Sequence, residues 1–211
     1  HQLIQTQQPD EHRRLQDKIK ARLHDDTVID AYTGELPLDL VPAFALPQSN
    51  WRDFIEADKN QDDLGYFPLR QAISTLVAQD YQFTLPVEHL MITSGGHQAI
   101  FLIVQALLNS GDAVAICQPS FLYALNLFQT AGIRLYGVPM DDQGMRLDLL
   151  ETEILKHRVK LVMLNPTFQN PTGTTMSLAR RKALIKLCQT YKIPIIEDDA
   201  FGLLPFDKRQ N

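Results

Sequence analysis

The chain has 211 residues, of which 45% are hydrophobic, and a formal net charge of -5. This length suffices for one sizeable core, or for one domain and part of a second, and the hydrophobic fraction argues against disorder. The acidic balance argues against DNA contact by the chain as a whole, because nucleic-acid-binding domains are usually basic.

Two cysteines, Cys117 and Cys188, each lie inside an apolar stretch, with no metal-binding or disulfide spacing. This usage indicates a reducing compartment, so we expect a cytoplasmic protein. The N-terminal segment has no apolar core of the signal-peptide kind. No apolar run approaches the roughly 20 residues of a membrane span, and we expect no membrane partner.

The first 27 residues are polar, and Leu15, Ile19 and Leu23 recur at intervals of four. This spacing predicts one short amphipathic helix, either a linker with a solvated charged face or an arm from an upstream domain. Residues 28–66 are rich in proline and predict an extended, loop-rich segment. We therefore divide the chain into a linker helix, residues 1–27, and one domain, residues 28–211.

From there on, helical and strand patterns alternate along the chain. This alternation predicts an α/β fold with a mainly parallel sheet and helices on both faces. Ligands of such sheets bind beyond the carboxyl ends of the strands. The predicted strands are 89–94, 113–117, 133–139, 159–165 and 193–199, and the predicted helices are 67–81, 97–110, 121–131, 147–157 and 177–191.

The motif TSGGHQ, from Thr93 to Gln98, lies between a predicted strand and a predicted helix. Gly95 and Gly96 let backbone N–H groups approach an anion, and the helix that follows contributes its N-terminal dipole. This arrangement suits a phosphate, although it is neither a P-loop nor a GxGxxG fingerprint. An ordinary glycine-rich turn is the alternative.

The motif QPSF, from Gln118 to Phe121, follows the strand 113–117. The Phe121 ring can stack on a flat heteroaromatic ring. Burial in the core is the alternative, and it is the commoner environment of a phenylalanine.

The motif NPTFQNPTG, from Asn165 to Gly173, follows the strand 159–165. Its two prolines and its glycine predict a rigid loop. In that loop Asn170 can present a side-chain amide as a hydrogen-bond donor. A turn in which the asparagine caps itself is the alternative.

The motif EDDAFG, from Glu197 to Gly202, ends the last predicted strand. Three consecutive acids at a strand end need a cationic partner, and a pyridinium nitrogen is one. A metal site is the alternative, but no histidine accompanies the acids at a useful spacing.

Taken in order, SGGHQA, QPSF, NPTFQNPTG and IIEDDAFG resemble the fold-type-I aminotransferases that depend on pyridoxal 5'-phosphate (PLP). The resemblance is closest to two groups that share QNPTG and EDD. These are the MocR branch of the GntR transcription regulators, and the 2-aminoadipate and kynurenine-type aminotransferases. GYFPLR, residues 65–70, and DAYTGELP, residues 30–37, also resemble family segments. The resemblance implies the large domain of the aspartate-aminotransferase fold, truncated at its C-terminus.

The resemblance implies a phosphate cup to which Gly95, Gly96 and His97 contribute. Gly96 stands where relatives usually have serine or threonine, so one phosphate-binding hydroxyl is expected to be absent. Gly34 would lie near the substrate carboxylate. Asn60 aligns with a tyrosine that in many aminotransferases reaches the phosphate of the neighbouring subunit, so the resemblance also implies a homodimer.

For the pyridine ring, the resemblance implies three contacts. Phe121 would stack on the ring, Asn170 would hydrogen-bond its phenolic oxygen, and Asp198 would pair with its nitrogen. The family has a tyrosine two or three residues after that aspartate, but here those positions are Ala200 and Phe201. Tight cofactor binding is therefore expected to be weakened.

In the family, the Schiff-base lysine follows one more strand beyond EDD, and Lys208 comes too early for that role. We therefore expect no catalytic residue in this chain, no activity from it alone, and PLP in the full-length protein but not in this fragment. The resemblance leaves two functions open: a PLP-binding effector domain of a MocR-type regulator, or part of a true amino-acid aminotransferase. A regulator would bind an amino acid or a PLP adduct, and would bind DNA only through an upstream domain. A Rossmann-like domain with chance motifs is a third alternative.

Overall fold

The chain divides into two compact units, His1–Phe54 and Ile55–Asn211. Helix α1 spans Glu11–Lys20, where a helix is predicted, and helix α2 spans Trp51–Lys59. The prediction of a loop-rich segment over residues 28–66 is wrong at α2. That helix begins after Asn50, whose side-chain oxygen accepts a hydrogen bond from the Arg52 N–H at 3.0 Å, as a capping asparagine does. The computed structural model describes residues 11–22, 27, 41, 43, 45, 50–59, 62–120 and 127–204.

Five strands form one sheet in the order β3-β2-β1-β4-β5. β1 pairs in parallel with β2 and β4, β4 pairs in parallel with β5, and β3 pairs with β2 in the antiparallel sense. The predicted, mainly parallel sheet is thus confirmed. The strands are β1 Ala113–Gln118, β2 Arg134–Asp141, β3 Gly144–Met145, β4 Val159–Leu164 and β5 Ile195–Glu197.

Four helices of the second unit confirm the predicted ones. The helix predicted over 121–131 is helical at 127–130, and residues 121–126 lie outside the described residues. None of the described helices has both the length and the apolar character that a membrane crossing needs. The helices are α3 Phe67–Tyr81, α4 Gly96–Leu107, α5 Leu147–His157 and α6 Leu178–Tyr191, and a 3-10 turn spans Val87–His89.

Side chains of the sheet alternate between two buried clusters, as parallel strands covered on both faces require. In β1, Ala113, Ala115 and Cys117 face one cluster, whereas Val114 and Ile116 face the other. Helices α5 and α6 complete the first cluster, and α4 packs on the second through its buried side chains. Helices therefore cover both faces of the sheet, as the alternation of elements predicts.

The strand predicted at 89–94 is absent from the sheet. Its first residue belongs to the 3-10 turn, Leu90 has an extended backbone, and the residues from Leu90 to Thr93 belong to no helix or strand. The Ile92 N–H donates to the Leu64 carbonyl at 2.9 Å, but one such bond does not make a ladder. Within the part of the chain that the structure describes, no strand pairs with this segment.

The GYFPLR segment lies beside this stretch of residues 90–93. Arg70 is buried, and its guanidinium donates to the carbonyls of Gly65 at 3.1 Å and Val87 at 3.2 Å and pairs with Asp62. Gly65 has a φ of +95°, and a Cβ placed there would lie 2.7 Å from the Cβ of Ile92. The stretch that leads to the Gly95 turn therefore packs against Gly65, where there is no room for a side chain.

Both cysteines are expected to resist thiol reagents in the folded chain. Burial raises the pKa of Cys117 and of Cys188 to about 11, and both side chains lie in the first core cluster. At about pH 8, roughly one thiol in a thousand is then ionised, and the thiolate is the reactive form. A chromogenic disulfide reagent should detect two thiols per chain in denaturant and none rapidly in its absence. Fast reaction of the folded chain would contradict the burial.

Candidate functional site

Three of the sequence motifs meet at one edge of the sheet, beyond the carboxyl ends of β1, β4 and β5. The Gln169 side chain donates to the carbonyl of Pro119 at 2.9 Å, which joins the loop after β4 to the turn after β1. The Asn165 amide donates to the carbonyl of Asp198 at 3.2 Å, which joins β4 to the turn after β5. The site residues Asn170 and Asp198 are thus on neighbouring segments. Phe121, two residues beyond Pro119, lies outside the described residues.

The loop from Asn165 to Ser177 is closed by its own backbone hydrogen bonds. The N–H of Gln169 donates to Thr174 at 2.9 Å, that of Gly173 to Gln169 at 2.6 Å, and that of Met176 to Pro166 at 2.7 Å. Gly173 has a φ of +72°, the left-handed region that favours glycine. The NPTFQNPTG motif therefore forms a loop that its own hydrogen bonds close, and its rigidity stays a prediction.

Asn170 presents its side-chain amide from this loop. The residue is half-buried, and its backbone carbonyl accepts a hydrogen bond from the Gln169 amide at 2.8 Å. Among the described residues, no protein group hydrogen-bonds the Asn170 side chain, so the self-capping alternative finds no support. The amide is available to a ligand with one strong acceptor.

The acids of the EDD turn have different partners. The Oδ1 atom of Asp198, which is half-buried, accepts a hydrogen bond from the Ala200 N–H at 3.3 Å. Asp199 accepts from the Tyr81 hydroxyl at 2.9 Å, and this bond is the main reason why the pKa of Tyr81 is raised. Burial raises the pKa of the Glu197 carboxyl, the Arg181 guanidinium opposes that rise, and Asp199 adds to it.

A metal site is not supported at this turn. The described residues contain no group of three or more histidine, cysteine, aspartate or glutamate side chains arranged to hold a metal ion. The Oδ2 atom of Asp198 takes part in no hydrogen bond with the described residues. That oxygen can therefore accept a hydrogen bond from a protonated cation at this edge of the sheet.

The glycine turn opens helix α4. Gly95 is the N-cap with a φ of +81°, and no side chain caps the helix. A Cβ added at Gly95 or at Gly96 would meet no atom within 4 Å, so the space beside the turn is open. The first N–H groups of a helix lack intrahelical partners and favour an anion. His97, the third residue predicted for the phosphate cup, has an exposed side chain.

Helix α4 points its N-terminus to the same edge of the sheet. Residues 108–112 connect it directly to the start of β1, and Ile100 and Val104 pack against the sheet with Val114 and Ile116 of β1. A helix that packs on the sheet and feeds a strand in this way runs antiparallel to that strand. Since both elements are about 18–20 Å long, the turn at Gly95 comes to the carboxyl edge.

Two residues that hold the site were not identified from the sequence. Gln169 is 1% exposed and lies inside the loop. Arg181, on α6, donates to the carbonyls of Met176 and Pro166 at 3.0 Å each and to the Thr167 hydroxyl at 2.9 Å. The position of Arg181 one turn after the Ser177 cap was a usable signal, because helical side chains tilt toward the N-terminus and a long one can reach back to the loop carbonyls.

Some predicted residues lie outside the described residues. These are Gly34, Asn60, Phe121 and Lys208. Their predicted roles stay predictions, and so do the ligand contacts of the residues described above.

Comparisons with known proteins point in one direction. Residues 32–210 match the family model described as aminotransferase class I and II. The HTH-type transcriptional regulator YisV of Bacillus subtilis is 38% identical over 183 residues, which cover 84% of this chain and 37% of the regulator. Aromatic-amino-acid aminotransferase 1 of Thermococcus litoralis is 37% identical over 147 residues, covering 67% of this chain and 35% of that enzyme.

A solved structure agrees with the sequence matches. An archaeal alanine:glyoxylate aminotransferase is similar with a TM-score of 0.64 and 35% identity, over 70% of this chain and 38% of that chain. The resemblance inferred from the motifs is therefore confirmed, and a Rossmann-like domain with chance motifs is set aside. The chain spans less than two fifths of the length of each of these three proteins.

Proposed function

This chain belongs to the aminotransferase class I and II family, and we propose on that basis that it is the PLP-binding effector domain of a GntR-family transcription regulator of the MocR type. The observation that carries the proposal is the extent of the matches. The alignment with the regulator covers 84% of this chain, whereas the alignment with the aromatic-amino-acid aminotransferase covers 67%. The regulator's likeness thus continues over more of the chain.

The chemistry of the described residues fits PLP. The open turn at Gly95 and Gly96 offers backbone N–H groups and a helix dipole to the phosphate. The unpartnered Asn170 amide offers a donor to the phenolic oxygen, and the Asp198 carboxylate offers an acceptor to the ring nitrogen. Bound PLP supplies an electron-withdrawing ring that stabilises a carbanion of an amino acid.

Each residue has a distinct task in this proposal. The Gly95 turn binds the phosphate and so fixes one end of the cofactor, with His97 beside it. Asn170 orients the ring through its amide, and Asp198 holds a proton on the ring nitrogen by opposing it with a negative charge. Phe121 would stack on the ring. We propose that the ligand of the regulator is an amino acid or its PLP adduct.

Further parts of the proposal concern the whole protein. DNA binding would come from an upstream winged-helix domain to which residues 1–27 form the linker, and Gly34 would approach the substrate carboxylate. The protein would act as a homodimer. Two free, buried cysteines are consistent with a reducing cytoplasm.

A true aminotransferase of the 2-aminoadipate or kynurenine type is the second candidate. The 2-aminoadipate transaminase of Thermus thermophilus is 33% identical over 142 residues of the chain. Both candidates share one fold, so the fold does not separate them.

Expression of the complete reading frame that encodes this chain tests the proposal. A regulator should retard DNA from its own promoter region in a gel, with an affinity that PLP changes, and should bind PLP in an absorbance titration. Turnover of an amino acid and a 2-oxo acid without DNA binding would instead establish the aminotransferase. Absence of PLP binding would overturn both.

Replacing Gly96 with serine is expected to tighten PLP binding by about two- to tenfold, since one hydrogen bond contributes roughly 0.5–1.5 kcal/mol. Neither backbone conformation nor space requires glycine there, because no positive φ is found at Gly96 and its Cβ position is open. Gly96→Ala is the matched control, since it adds the Cβ without the hydroxyl. Equal affinities of the two variants in an absorbance titration would contradict the prediction.

A further inference from the structure

We propose that Gln169 is the positioning residue of this site, a single side chain that fixes the Asn170 loop against the turn that leads to Phe121. The inference deepens the proposed function and rests on it. It concerns a residue that contacts neither ring nor phosphate in that proposal, and it acts through the loop that carries Asn170.

The Gln169 side chain uses its whole hydrogen-bonding capacity inside the protein. Its Nε2 atom donates to the carbonyls of Pro119 at 2.9 Å and Asn170 at 2.8 Å. Its Oε1 atom accepts from the Thr172 N–H at 3.0 Å and from the Thr172 hydroxyl at 2.6 Å. A primary amide has two N–H donors and an oxygen with two lone pairs, so every position is filled.

The burial of Gln169 makes these bonds matter. Only Gln169 and Arg70 are buried polar or charged residues in the described part of the chain. A buried polar group that loses its partner costs more free energy than the net contribution of one bond, because its desolvation is then uncompensated. Removal of the amide would take this partner from the Pro119 and Asn170 carbonyls and from the Thr172 N–H, in bonds that are partly shielded from water.

The bonds connect parts of the chain that are distant in sequence. Pro119 and Gln169 are 50 positions apart, and the bond between them spans from the end of β1 to the loop after β4. On one side it holds the carbonyl two residues before Phe121, and on the other it holds the carbonyl of Asn170. This one side chain therefore ties the loop that carries Asn170 to the Pro119 turn after β1.

The geometry restricts what can replace Gln169. Asparagine is one methylene shorter and cannot reach both the Pro119 and the Thr172 sides. Methionine has similar length but offers no strong donor or acceptor. Glutamate keeps the acceptor for Thr172, but an ionised carboxylate would face two carbonyl oxygens. When protonated, glutamic acid regains one O–H donor toward them.

The test compares Gln169→Met, Gln169→Glu and the exposed control Gln129→Met in the protein from the complete reading frame. PLP affinity and inorganic phosphate affinity are both measured. We expect Gln169→Met to weaken PLP binding by about tenfold to a hundredfold while phosphate affinity stays within about twofold. Phosphate binding reports the Gly95 turn, which Gln169 does not contact, and so shows that the edge is still folded.

A pH series adds a signature that simple destabilisation would not give. Burial raises the pKa of a carboxyl, so residue 169 in Gln169→Glu should be protonated more and more between about pH 8 and about pH 6. Its loss of PLP affinity relative to the unmodified protein should then shrink as the pH falls, whereas the loss in Gln169→Met should stay constant. Unchanged PLP affinity in Gln169→Met, or parallel losses of PLP and phosphate affinity, would overturn the inference alone. Failure of the unmodified protein to bind PLP would overturn the proposed function with it.

Discussion

Replacing Asp198 with asparagine is expected to weaken PLP binding by about tenfold to a hundredfold. The proposed site sets this carboxylate against a protonated ring nitrogen, and a hydrogen bond to a charged group contributes roughly 1.5–3 kcal/mol. Asp198 is half-buried, so water screens the pair less than at the surface. Asparagine keeps the shape of the side chain but removes its charge. Titration of the protein from the complete reading frame with PLP, followed by absorbance, measures the loss.

Asp199→Asn is the matched control for this prediction. It removes the same charge one residue further on. The Asp199 carboxylate accepts a hydrogen bond from the Tyr81 hydroxyl, whereas the Oδ2 atom of Asp198 has no partner among the described residues. Loss of a general negative charge should slightly favour an anionic cofactor, so the control should bind PLP unchanged or more tightly. Similar losses in both variants would show that Asp198 makes no specific pair.

Replacing Gly65 with alanine is expected to destabilise the chain by about 2–6 kcal/mol. The φ of +95° strains a residue with a Cβ, at roughly 1–3 kcal/mol. The new Cβ would also lie 2.7 Å from the Cβ of Ile92, and overpacking of this kind costs roughly 1–3 kcal/mol more. This is a large part of the 5–15 kcal/mol by which most domains are stable. Equilibrium unfolding in urea measures the free energy of unfolding.

Gly111→Ala isolates the contact with Ile92 from the backbone strain. Gly111 has a similar φ of +89°, but no atom lies within 4 Å of the position of its Cβ. The control should therefore lose only the part that comes from strain. Equal losses at the two positions would mean that Ile92 moves aside without cost.

The helices show why part of the fold could be predicted from the sequence. The bounds of α3 and α5 agree with the predicted ones because apolar residues recur there at helical spacing. The helix α2 was missed, because three prolines before it dominated the interpretation of residues 28–66. The segment 89–94 was misassigned because an apolar run satisfies a strand pattern whether or not a neighbouring strand pairs with it.

The site could be predicted where residues with suitable side chains lie next to the end of a predicted strand or helix. Asn170, Asp198 and Gly95 follow or precede regular elements, so their position at the carboxyl edge follows from the alternation of strands and helices. Gln169 carries no such signal. Its partners are backbone carbonyls and a threonine, and one of them lies 50 positions away, so only the paired strands bring them together. Arg181 was also missed, although its position one turn after the Ser177 cap was a usable signal.

The closed loop from Asn165 to Ser177 also bears on the entropy of ligand binding. Ordering a flexible segment costs about 1–2 kcal/mol per residue in backbone entropy. The hydrogen bonds of Gln169, Gly173 and Met176 form on folding, so this loss precedes the arrival of any ligand. An amide donor such as that of Asn170 then meets its acceptor without a further ordering penalty. The free energy of even a few hydrogen bonds to a small cofactor can therefore appear almost fully in its binding free energy.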